Sequence, residues 1–129
     1  MTIFLIFLLI LAIIINIIIS NSINENFATS PDKLIYLFNT ERNCPSCKDF
    51  DNTWVTIENE VKANPFFYKF ITDKYNIEND SQGIKIAKDN KINTPPAIIY
   101  ISGDNYKIYK EKSTDMSSIL DWARQINGI

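Results

Sequence analysis

The chain has 129 residues, 13 basic and 15 acidic side chains, a net charge of −2, and no histidine. That length allows one ordinary domain and little more. The slightly acidic balance, with no basic stripe, gives nucleic-acid binding no footing. The missing histidine excludes a Cys–His hydrolase, a His-ligated metal centre and a histidine proton shuttle.

In chain order, the first element is an apolar run from Ile3 to Ile19, interrupted only by Asn16. As a helix it is about 26 Å long, close to the roughly 30 Å hydrocarbon core of a bilayer. A run apolar on every face does not suit a soluble surface helix. No Lys or Arg precedes it, and it exceeds the roughly 7–15 apolar residues of a signal peptide. Residues 1–20 therefore read as a membrane anchor or signal-anchor helix. Ser20-Asn21-Ser22 offers a small-residue cleavage site, and cleavage there would release a secreted domain. The first basic residue after the span is Lys33. Nothing basic holds that flank in the cytoplasm. The expected topology is a single pass with the domain lumenal or extracytoplasmic, where disulfides persist. Residues 21–32 are polar, aperiodic and hold Pro31, as a tether does. The folded domain is expected over 33–129.

Leu34 to Phe38 is a continuous apolar run of strand length, as in a strand buried on both faces. After a polar loop, Cys47, Phe50, Trp54, Ile57 and Val61 recur at three- and four-residue intervals. That spacing predicts an amphipathic helix with one apolar stripe, ended by Asn64-Pro65. The aromatic-rich stretch Phe66 to Ile71 is expected as the second strand, with its aromatics in the core. Ile84 and Ala87 mark a short second helix. Ala97 to Ile101 reads as the third strand, Ser102 to Asn105 as a hairpin turn, and Tyr106 to Tyr109 as a lysine-flanked edge strand. Ser113, Thr114 or Asp115 can cap a last helix whose apolar face is Met116, Ile119, Leu120, Ala123 and Ile126. Trp54 falls on its helix stripe and is expected in the core; Trp122 falls off the apolar face. The order is βαβαββα: a four-stranded mixed sheet flanked by three helices, preceded by a transmembrane helix. Its strand–helix–strand units call for parallel pairing with right-handed crossovers.

The two cysteines of the chain lie three apart in Cys44-Pro45-Ser46-Cys47, at the start of the first domain helix. Thr94-Pro95-Pro96 stands directly before the third strand. A vicinal dithiol paired with a proline-led strand is the layout of a thiol–disulfide exchange site. A thiol at a helix N-terminus meets the positive end of the dipole and free N–H groups, which favour the thiolate. Cys47 lies one turn further in, on the same side. Pro45 suits the first helical turn because its missing N–H would be unpaired there. Two cysteines supply only half of a tetrahedral zinc set, and no metal or other cofactor is expected.

The element order, the Cys-Pro-Ser-Cys motif and Pro-Pro before the third strand together resemble the thioredoxin superfamily, over about Lys33 to Ile129. Cys47-Lys48-Asp49-Phe50, with Trp54 further on, is similar to the start of the active-site helix in protein disulfide isomerase domains. The resemblance implies a thioredoxin-like fold and a redox-active Cys44–Cys47 disulfide. It implies Cys44 as nucleophile, Cys47 as resolving thiol and Pro96 as the cis-proline. Backbone groups at Pro95 would pair with an extended substrate, while Pro45 and Ser46 tune the redox poise. The implied partners are protein thiols and disulfides, with the membrane engaged through the N-terminal helix.

Three departures stand out. Asn43 sits where the family usually has a Trp. The first strand carries no acid; Leu37 or Phe38 takes its place, so proton transfer from the resolving thiol must use water or another group. Lys69, placed in the expected second strand, is a candidate for the lysine that neighbours that acid in thioredoxins, or simply a lysine at the sheet end reaching solvent. Glu41 and Arg42 would push the Cys44 thiol in opposite directions. Two alternatives remain open. One is a glutaredoxin-like reductase, although Ser102 to Asp115 lacks the Gly-Gly and nearby Asp that bind glutathione there. The other is a non-catalytic thioredoxin-like adaptor whose cysteines form only a structural disulfide.

Overall fold

The computed structural model describes residues 1–25 and 30–128. It divides into two compact units, Met1–Ser30 and Pro31–Ile129. In the first, helix α1 spans Thr2–Glu25, so it runs past the expected end at residue 20. Its window Thr2–Ile19 has a mean hydropathy of 3.3 and is long and apolar enough to cross a membrane. Asn16 Nδ2 donates to the carbonyl of Ala12 at 2.8 Å, so its amide finds a partner within the helix. Residues 26–29 of the expected tether lie outside the described residues.

The second unit contains β1 (Lys33–Phe38), α2 (Pro45–Ala63), β2 (Ile71–Asn76), α3 (Ser81–Asp89), β3 (Ala97–Ser102), β4 (Asn105–Ile108) and α4 (Met116–Asn127). The sheet order is β2-β1-β3-β4. β1 pairs with β2 in parallel, Lys33 opposite Ile71 and Phe38 opposite Asn76. β3 runs antiparallel to β1 and to β4. The parallel pair needs the α2 crossover, and the β3–β4 pair closes through a tight turn with Gly103 at φ 58°. That positive φ at the first central position is what a type II′ turn asks of glycine.

The second strand is not where the aromatic run suggested. Pro65 to Phe67 forms a turn, and β2 is the polar stretch Ile71–Asn76. Tyr68 and Phe70 are buried as expected, but Phe66 is 95% and Phe67 46% exposed. β2 is an edge strand, so it has one neighbour and part of its surface faces water. Its hydrophobic signal is correspondingly weak. The run before it is apolar because two of its residues plug the end of the core.

Each sheet face has its own cluster. Leu34, Tyr36, Trp54, Ile57, Tyr100 and Ile119 lead the one beneath α2 and α4. Ile35, Leu37, Ile86, Ala87 and Ile99 form the smaller one beneath α3. The alternating members of β1 serve both, which explains its unbroken apolar run. Trp54 is 1% exposed. Trp122 is half-buried, with its ring edge-on to Tyr109 at 5.2 Å. Asp80 caps α3 by accepting from the Gln82 N–H at 2.8 Å. Asp115 caps α4 by accepting from Ser118 N–H at 3.3 Å.

Candidate functional site

The dithiol lies where β1 hands over to α2. Asn43 and Cys44 N–H groups both donate to the Thr40 carbonyl, at 2.9 and 2.8 Å. This turn brings Cys44 to the N-cap of α2, with Pro45 in the first helical turn. The cap makes no side-chain hydrogen bond, so the Cys44 sulfur sits at the helix N-terminus without capping it. Cys44 and Cys47 are joined as a disulfide, Cα to Cα 5.3 Å, and the Cys47 N–H donates to the Cys44 carbonyl at 3.1 Å. Neither cysteine is open to solvent: Cys44 is 3% and Cys47 1% exposed. Pro45 and Ser46 between them are exposed.

Beneath the disulfide, the buried Tyr36 hydroxyl lies 3.1 Å from the Cys47 carbonyl and 3.0 Å from Asp51 Oδ1. Burial, helped by the Asp51 carboxylate, pushes this phenol far above its usual range. It stays protonated and can donate to either acceptor. Asp51 is one helical turn after Cys47, where i,i+4 side chains are neighbours. Tyr36 and Asp51 are thus the polar groups built under Cys47. An apolar reading of β1 passes over Tyr36, because its ring packs as core while its hydroxyl does polar work.

Lys69 does not belong to this region. It is exposed, lies outside any strand, and precedes the end of β2 that pairs with Lys33. The dithiol follows the other end of β1. The lysine that reaches the Phe38 neighbourhood is Lys74 of β2, its Nζ 5.8 Å from the Phe38 ring centroid. Misplacing β2 by five residues hid it. Phe38 itself is half-buried against the cluster beneath α2 and α4, and its neighbour Leu37 is buried in the cluster beneath α3.

Around Cys44 the loop is held by amides. Asn39, 6% exposed, donates from Nδ2 to Glu78 Oε1 at 2.6 Å. Asn43 Nδ2 lies 3.2 Å from Glu78 Oε2. Glu78 follows β2 in the chain, so it ties the loop before Cys44 to the β2–α3 connection. A pair of Asn residues flanking a polar loop was the available sequence signal. Glu41 is ion-paired to Lys48 at 2.6 Å.

The Pro95–Pro96 peptide bond is cis. Pro96 leads into β3, whose first residue Ala97 pairs with Leu37 near the end of β1 that feeds the dithiol loop. Pro96 also lines a hollow of about 370 Å³ with Phe50, Thr94, Ile98, Ile108 and Ile119. Phe50 is one turn after Cys47, so this hollow joins the proline segment to the dithiol helix.

The fold is thioredoxin-like, which solved structures bear out. The first two thioredoxin domains of Saccharomyces cerevisiae Eps1p superpose with a TM-score of 0.63 at 19% identity, over 75% of this chain and 35% of that one. The J-Trx1 fragment of ERdj5 gives 0.60 at 15%, over 74% and 41%. A thioredoxin from Thermus thermophilus gives 0.51 at 15%, over 75% and 74%. The chain spans about two fifths or less of the length of the ERdj5 and Eps1p fragments. No family model matches the sequence, and no curated protein matches it.

Proposed function

We propose that the domain is a thiol–disulfide oxidoreductase that exchanges disulfides with protein cysteines, held at a membrane by α1 with the domain on the lumenal or extracytoplasmic side. The observation that carries this reading is the Cys44–Cys47 disulfide at the start of α2, at the sheet end where a cis Pro95–Pro96 bond leads into β3. In the reduced form, the Cys44 thiolate attacks one sulfur of a substrate disulfide. A mixed disulfide forms and the other substrate sulfur leaves as thiolate, taking up a proton. The Cys47 thiol loses its proton and attacks Cys44 Sγ. This releases the second substrate thiolate and restores the Cys44–Cys47 bond. The reverse sequence donates the disulfide. Pro95 and Pro96 supply the edge against which an extended substrate lies, Pro45 and Ser46 bear on the poise of the pair, and Lys69 has no part in the reaction. The ERdj5 and Eps1p likenesses support the fold of this reading.

The burial of both cysteines favours a second reading, an adaptor in which the disulfide is structural. One titration separates the two. Equilibrated against glutathione buffers, an exchange site reduces reversibly, near −180 mV for a donor or isomerase and near −270 mV for a reductase. A bond that resists reduction until the domain unfolds rejects the enzyme. As a second readout, reduced Cys47→Ser accumulates mixed disulfides with disulfide-bonded or scrambled protein substrates, whereas Cys44→Ser accumulates none.

A further inference from the structure

The end of the domain away from the dithiol carries an apolar patch that the domain leaves uncovered. Cys44 caps one end of α2 and Asn64 the other, with 19 helical residues between, about 28 Å of helix. Just past Asn64, Phe66 is almost wholly exposed and Ile71 more than two-fifths exposed; Phe67 is partly covered, with the Arg124 guanidinium 3.8 Å from its ring centroid, and leaves under half of its surface open. Lys62 and Lys69 flank them, both exposed. Beside them lies an apolar hollow of about 380 Å³, lined by Pro31, Val61, Pro65, Tyr68, Phe70 and Ile71. Pro31 is where the chain enters the domain, and the Ile71 N–H donates to the Asp32 carbonyl at 2.9 Å. The entry point of the N-terminal segment and the aromatic patch therefore share one end.

Three partners can cover such a patch: a second copy, another protein or lipid. The connecting chain selects among them. Only residues 26–32 separate Glu25, the last residue of α1, from Lys33, which is roughly 29 Å at full extension. A link that short makes docking on the same bilayer an intramolecular event at high effective concentration. Exposed aromatics flanked by lysines suit the interface, where rings bury at the acyl boundary while lysines reach headgroups.

We propose that Phe66 and Phe67 seat this end of the domain on the surface of the bilayer that α1 crosses. The dithiol, at the other end of α2 from this patch, is then presented to proteins in the compartment rather than to the membrane. This rests on the reading of α1 as a membrane helix.

The test uses the full chain in phosphatidylcholine nanodiscs, unsubstituted and as Phe66→Trp. The difference in emission between the two isolates the new indole from Trp54 and Trp122. The expected result is blue-shifted difference emission that drops at least two-fold when the discs carry brominated phosphatidylcholine. Water-like emission without quenching overturns the proposal, because the patch is then free. Blue-shifted emission without quenching also overturns it, because protein rather than lipid covers the ring. A chain that does not incorporate into discs at all fails earlier, on the reading of α1.

Discussion

The two faces of the sheet hold their helices in different ways. Beneath α2 and α4, large rings fill the space: Tyr36 meets Phe50 edge-on at 4.9 Å and Trp54 at 5.4 Å, and Phe70 meets Tyr100 at 5.6 Å. Beneath α3 there are five buried residues, mostly aliphatic, and a close backbone approach at Gly83. The dithiol helix is thus fixed by volume, and the shorter helix by contact distance. The thick aromatic core holds α2, and with it Cys44 at its N-cap, in a fixed frame.

The largest test of this contrast is Trp54→Ala. The ring is 1% exposed, and its removal should cost about 3–5 kcal/mol in urea unfolding. A loss under ~1 kcal/mol would mean that the α2 face does not depend on filled volume. Next comes Gly83→Ala. A Cβ there would sit 2.3 Å from the Asn76 carbonyl oxygen, backbone that cannot swing away, so overpacking of about 1–3 kcal/mol is expected. If the variant is as stable as the parent, α3 is not pressed on the sheet end.

Tyr36→Phe keeps the ring and removes its hydroxyl from the Cys47 carbonyl and Asp51. One net hydrogen bond, about 0.5–1.5 kcal/mol, should be lost. It also probes alkaline behaviour. Burial pushes Tyr36 and Tyr100 up, and pushes Tyr75, on the α3 side, up to about 12 from an ordinary 10.0. A folded-state pKa above the unfolded one contributes stability that is complete below pH 10 and lost as pH rises towards 12. Stability curves should therefore be flat up to about pH 10 and fall beyond it, with Tyr36→Phe and Tyr75→Phe each shallower than the parent. Smallest is Asp80→Ala, which removes the α3 cap for about 1 kcal/mol and should leave α2 and the thiol chemistry untouched.

Much of this architecture is local and could be read along the chain. α2 and α4 show their apolar stripes because each buries one face, and β1 its unbroken run because it buries two. Cys44, Cys47 and the Pro95–Pro96 pair stood out by residue type and spacing. β2 did not, since an edge strand needs little apolar surface and the aromatic residues that precede it mimic a strand. That error placed Lys69 in the sheet and concealed Lys74.

What the sequence by itself determined is the order of elements, an N-terminal helix apolar enough to span a bilayer, and a dithiol at a helix start in a chain without histidine. Those depend on neighbours within a turn or two. Tertiary structure alone decided the strand order, the burial of both cysteines, the Tyr36–Asp51 pair under Cys47, and the clamp of Asn39 and Asn43 on Glu78. It alone put Phe66 at the same end as Pro31. The Tyr36–Asp51 contact and the Asn39 and Asn43 contacts with Glu78 join residues 15 or more apart, and such meetings are set by which faces pack, which no local period encodes.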